Sequence, residues 1–203
     1  LSFPIAVPII TFLVFPLVLL ADLPPSLDFE EGPINSITIS REGRKLAINS
    51  STSSEVDTLL LTHARRDIVE TAREVTSDST YAPISSRDML EGTSHFWETF
   101  WTDRFDYYKQ QVTRIPTRDF PADQYLEDGE TISWQGITIH FVSTPGYTRD
   151  GGTYIVELEG KTLAFTGDLI LAGGKVPDIY SFQDEIREAK VGGYHGYMGR
   201  LSR

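Results

Sequence analysis

Three segments far apart along the chain share one design. An apolar, β-type run breaks off into Thr, Gly or Pro beside ionisable or polar side chains. They are Leu59-Leu60-Leu61-Thr62-His63-Ala64-Arg65-Arg66-Asp67, Val142-Ser143-Thr144-Pro145-Gly146-Tyr147-Thr148 and Phe165-Thr166-Gly167-Asp168-Leu169-Ile170. Loops that leave buried strands are where sheet scaffolds place their chemistry. Taken singly, each signal has a bland reading. A lone His after a strand is more often a hydrogen-bonded residue than a ligand. Gly-Asp and Pro-Gly are ordinary turn signals. Their order and spacing together predict three strand ends lining one pocket.

The rest of the chain supplies sheets and helices for such a pocket. Ser36–Ser40 and Lys45–Asn49 read as a hairpin across Glu42-Gly43. Val56–Leu61 is nearly continuous in apolar residues, as a buried strand should be. Thr62 is placed to cap a helix carrying Ile68, Val69, Ala72 and Val75. Residues 84–111 read as helical, with an aromatic stripe from Phe96 to Tyr108 that suits a core or a helix contact. Thr131–Trp134 pairs with Ile137–Val142 across Gln135-Gly136, and Thr153–Leu158 with Thr162–Phe165 across Glu159-Gly160-Lys161. Gln183–Ala189 reads as a short last helix. This order predicts an α+β chain, two sheets layered face to face with helices outside.

Composition narrows the chemistry. No cysteine means no thiolate metal site, no disulfide and no thiol nucleophile. A net charge of −11 argues against a nucleic-acid groove, which needs clustered Lys and Arg. Residues 1–21 carry no charge and are apolar apart from Ser2, Thr11 and the prolines. They predict an export signal, a membrane anchor or a buried segment, joined through Pro24-Pro25 to the folded part. Pro4, Pro8 and Pro16 would each disturb a spanning helix. The expected division is therefore 1–25 as apolar leader and linker and 26–203 as one domain, exported or anchored, with membrane contact only through that leader.

The trio of segments resembles the metallo-β-lactamase fold superfamily. Its members carry Thr-His-x-His-x-Asp-His after a strand, then Thr-Pro-Gly-His-Thr, then Thr-Gly-Asp and a last histidine. Here Leu-Leu-Thr-His stands at 60–63, Thr-Pro-Gly at 144–146 and Phe-Thr-Gly-Asp-Leu at 165–169. The resemblance spans about residues 35–195. It implies a four-layer αββα sandwich, here ending short of the family's full domain. It also implies one or two metal ions, usually zinc, with a bound water made nucleophilic near neutral pH.

Position by position, the ligand set is depleted. His63 stands at the first histidine, Asp67 at the motif aspartate that also orients the nucleophile, and Asp168 at the bridging aspartate. Arg65, Ile68 and Tyr147 replace three histidines. His195 is the candidate for the last one. Arg65 cannot ligate, because guanidinium stays protonated and offers no lone pair. One weakly held zinc on His63, Asp67 and Asp168, or none, is therefore expected, with Arg65, Tyr147 and His195 around the pocket. Two carboxylates without a metal would repel. Arg65 is expected either to pair with Asp67 or Asp168 in the metal's stead or, with Arg66, to sit on a solvated helix turn. His95 and His140 match no ligand position and read as structural.

Two functions follow from the resemblance. One is a metal-dependent hydrolase with an altered site, acting on an ester, thioester, lactone or phosphoester of a small molecule. The other is a non-catalytic member that uses the pocket for a ligand or partner.

Overall fold

The computed structural model describes residues 23–32, 34–50, 54–96 and 118–170. Two sheets face one another. The first has six strands in sequential order: β1 (Leu27–Glu30), β2 (Ser36–Arg41), β3 (Arg44–Ile48), β4 (Glu55–Leu60), β5 (Thr76–Pro83) and β6 (Gln124–Leu126). The first three are antiparallel. β3 to β6 then run parallel. The second sheet is wholly antiparallel and ordered β10-β9-β8-β7, from β7 (Thr131–Trp134), β8 (Ile137–Ser143), β9 (Gly152–Leu158) and β10 (Lys161–Phe165).

Side-chain alternation decides what each face meets. Ile137, Ile139 and Phe141 of β8 point inward, while Thr138 and His140 face solvent. They join Leu46, Ile48, Leu60, Tyr154 and Val156 in the layer between the sheets. Ala47, Leu59 and Leu61 point the other way, under helix α1 (Arg66–Ala72) and helix α2 (Arg87–Glu91). A parallel strand covered on both faces needs a continuous apolar run, and the end of β4 supplies it in Leu59 and Leu60, continued by Leu61.

The hairpin turns form as the sequence predicts. Glu42-Gly43, Gln135-Gly136 and Glu159-Gly160 each have both φ values positive, the two-residue turn that matches strand twist. Lys161 belongs to β10 and not to the turn.

Other expectations are corrected. Thr62 does not cap the helix. Arg65 stands at the N-cap without a side-chain cap bond, because the Thr62 hydroxyl bonds Asn49 and His63 instead. Val75 lies past the helix end but still packs on its core. The predicted helical stretch from residue 84 begins as a 3₁₀ turn over Ile84–Ser86 and then becomes α2. β5 escapes pattern reading because its Ser77, Asp78, Ser79 and Thr80 carry no apolar alternation; backbone pairing to β4 makes it a strand. The aromatic stripe beyond Phe96, the helix at Gln183–Ala189 and nearly all of the apolar leader lie outside the described residues. Among the described residues, no helix is long and apolar enough to cross a membrane.

Candidate functional site

The three strand-end loops do meet, and backbone bonds hold them there. The Leu61 N–H donates to Tyr81 and the Asn49 N–H to Leu60, which carries the parallel ladder past the end of β4. The Gly152 N–H donates to the Thr62 carbonyl, tying the second sheet to the first. The Tyr154 hydroxyl donates to the Leu61 carbonyl at 2.9 Å, and burial pushes its phenol well up. Asp150, only 2% exposed, accepts from the Ala64 N–H at 2.6 Å and the Ser86 hydroxyl at 2.7 Å. One buried carboxylate thus joins the loop after β4, the loop before β9 and the start of α2.

His63 sits at the centre, 2% exposed. Its Nδ1 lies 2.9 Å from the Thr62 hydroxyl. Its Nε2 lies 3.2 Å from Asp168 Oδ2, within ion-pair range but not aligned as a hydrogen bond, and has no hydrogen-bond partner. Burial pulls the imidazole's pKa down. Asp168, helped by Asp150, more than offsets this, so the ring ends above its ordinary value.

Arg65 lies between the two acids. Its Nε donates to Asp67 Oδ1 at 2.6 Å, its Nη2 donates to Asp67 Oδ2 and its Nη1 to Asp168 Oδ2. Despite partial burial, the Arg65 bonds and charge hold the Asp67 carboxyl below the usual carboxylate range. The guanidinium also lies 5.9 Å from the centre of the Tyr147 ring, at the limit of a cation–π contact. Arg65 therefore pairs with both carboxylates, not one.

Space is unequal on the two sides of this pair. Over His63, Tyr147 and Thr148 there is about 10 Å³, hardly one water. On the other side opens a cleft of about 240 Å³. Arg65, Asp168 and Asn49 line it together with Phe29, Ile37 and Ile48.

Gly167 closes the centre. Its φ is +55°, and a Cβ there would fall 2.6 Å from the Thr62 hydroxyl oxygen. A Gly167→Ala variant is expected to lose about 2–4 kcal/mol, from left-handed strain and from displacement of the Thr62–His63 contact. Urea denaturation of the two proteins checks this; an unchanged midpoint would contradict it.

His63, Arg65, Asp67, Tyr147 and Asp168 are thus brought together, whereas His195 lies outside the described residues. His140 is on the solvent face of β8, and His95 is exposed. Sequence reasoning missed Asn49 and Asp150. Asn49 carries a weak signal: like Thr62, it is a small polar residue directly after an apolar strand. Asp150, inside Arg149-Asp150-Gly151-Gly152, reads only as a turn.

No family model matches the chain. Over 82 residues, 39% of the chain, it is 32% identical to the atrochrysone carboxyl ACP thioesterase of Aspergillus fumigatus. Over 83 residues it is 34% identical to the protein of that name from Passalora fulva. The matched stretches are 25% and 23% of those proteins, so the chain spans about a quarter of their length. Among solved structures, the Cronobacter sakazakii metallo-β-lactamase with a HARLDQ motif superposes with a TM-score of 0.54 at 14% identity. That match covers 87% of this chain and 71% of that one. The FEZ-1 metallo-β-lactamase of Legionella gormanii gives 0.52 at 17% identity, over 83% and 72%. The chain has the metallo-β-lactamase fold.

The described residues do not fit the two-ion centre that this fold commonly carries. Among them, no group of three or more His, Cys, Asp or Glu side chains could hold a metal ion. Both oxygens of Asp67 and one of Asp168 are engaged by Arg65.

Proposed function

We propose that this pocket is a metal-poor acyl-hydrolase centre, acting on a small-molecule ester or thioester, with Arg65 as its fixed cation. The observation that carries the reading is the cleft of about 240 Å³, lined by apolar side chains on one hand and by the Arg65–Asp168 pair and other polar groups on the other. Its apolar side chains suit an acyl chain, and a half-buried cation suits a carbonyl oxygen on which charge develops. Water would add to the carbonyl carbon, the C–O or C–S bond would break, and an acid and an alcohol or thiol would leave. Asp168, beside His63, is placed to hold the water's proton. The thioesterase names of the partial relatives favour a thioester. An arginine at the third place of the motif also recurs, since His63-Ala64-Arg65-Arg66-Asp67-Ile68 stands beside HARLDQ. Any zinc on His63, Asp67 and Asp168 would first have to displace Arg65 from the two acids, and would be weakly held.

The proposal extends to partners and location. The acidic balance disfavours nucleic acid, and the apolar N-terminal segment is the proposed route to export or membrane contact. A second reading, a ligand-binding pocket without turnover, draws support from the same ion pairs, because they neutralise the acids a hydrolase would use.

Thiol release from acyl-cysteamine thioesters separates the two. Slow turnover that survives a chelator and disappears in Asp168→Ala is the expected result. Absence of release from a chain that binds the intact thioester would establish the binding module instead.

A further inference from the structure

One hydrogen-bond chain in the pocket has a fixed direction. The Asn49 side chain grips Thr62 twice. Its Oδ1 accepts the Thr62 backbone N–H at 3.1 Å, and its Nδ2 donates to the Thr62 hydroxyl oxygen at 3.0 Å. A backbone N–H can only donate, so it must face Oδ1, and the amide cannot turn over. The hydroxyl oxygen therefore receives a proton from Asn49 and has one proton of its own to give. The acceptors within reach are His63 Nδ1 at 2.9 Å and Asn49 Oδ1 at 3.4 Å. The second is long, so the proton points at Nδ1. Gly167 packs against this same spot: a Cβ on it would lie 2.6 Å from the hydroxyl oxygen and 3.3 Å from Nδ1.

We infer that Asn49 is a positioning residue that, through Thr62, fixes neutral His63 as the Nε2–H tautomer and so withholds its ring lone pair from any metal. With Nδ1 accepting from Thr62, the ring proton must sit on Nε2, facing Asp168 at 3.2 Å. An imidazole in that state presents no lone pair to the pocket. The scarcity of ligands at Arg65, Ile68 and Tyr147 is then matched by a histidine whose own hydrogen bonds oppose ligation. Outer-shell partners usually orient a ligating histidine the other way, with the far nitrogen as donor. None of this requires acyl turnover: a chain that fails to hydrolyse thioesters keeps the same hydrogen-bond direction.

Ring-nitrogen NMR of the ¹⁵N-histidine-labelled full chain tests it, at a pH above the His63 titration. The expected spectrum assigns the proton to Nε2 in the unaltered protein. Asn49→Asp offers the Thr62 hydroxyl an acceptor in place of a donor. It should reverse the chain, move the proton to Nδ1 and tighten zinc binding roughly tenfold or more. Thr62→Val, which removes the relay but keeps the shape, should give a mixture of tautomers. A proton on Nδ1 in the unaltered protein would overturn the assignment whatever the variants do. So would an Asn49→Asp protein that stays folded with its proton still on Nε2.

Discussion

Arg65→His is expected to raise zinc affinity roughly 10–100-fold, taking the chain from well under one bound ion toward one. The substitution acts in two ways at once. It removes a guanidinium that ties up both oxygens of Asp67 and one of Asp168. It also adds an imidazole at the position where the family pattern has a ligand, beside His63 and the two freed acids. Histidine and carboxylate together are a normal zinc set, whereas a guanidinium is never a ligand. Arg65→Ala separates the two effects. It frees the acids without adding a donor, so they repel and lose their cation, and about 1–3 kcal/mol of stability should go with it. Calorimetric zinc titration of the three proteins, with metal analysis after dialysis, gives the comparison. If Arg65→Ala and Arg65→His both bound zinc no better than the unaltered protein, the guanidinium would not be what keeps the metal out.

The same region shows what can be read from a chain without coordinates and what cannot. The sandwich was legible because its strands obey simple rules. β8 alternates in burial, β4 ends in the buried apolar pair Leu59-Leu60, and the three two-residue turns are written as Glu-Gly, Gln-Gly and Glu-Gly. The convergence of His63, Asp67 and Asp168 was legible as a motif order. The double pairing of Arg65 was only half legible. Charge argued for a cation near the acids, but only the fold brings Asp168 within reach of a residue 103 positions away. Asn49 and Asp150 stayed hidden because each does its work through hydrogen bonds to main chain and hydroxyl groups, which leave no periodicity. β5 stayed hidden for a related reason. Its polar side chains Ser77 to Thr80 form a strand through the neighbouring backbone and not through their own preference.

Asp150→Ala carries the largest expected loss of stability. The carboxylate accepts from two donors that are themselves inside, the Ala64 N–H and the Ser86 hydroxyl, at residues 2% and 0% exposed. Without an acceptor each buried donor costs about 1–3 kcal/mol, so the variant should lose about 2–5 kcal/mol. In a chain of this size that lowers Tm on the order of 10 °C. Asp150→Asn is the informative companion. Its one carbonyl oxygen has two lone pairs and can take both bonds, so it should lose less than half as much. It does remove a negative charge that helps raise His63. The sign of the consequence is fixed by linkage. A histidine whose folded value lies above its unfolded one adds stability below the unfolded value and loses that stability as pH rises through the folded value. In Asp150→Asn the folded value falls toward the unfolded one, so this pH-dependent part of the stability should shrink. Thermal melts of both variants from pH 5 to pH 9 measure it. An Asp150→Asn protein as unstable as Asp150→Ala at every pH would show that the charge, and not the acceptor, holds the three loops together.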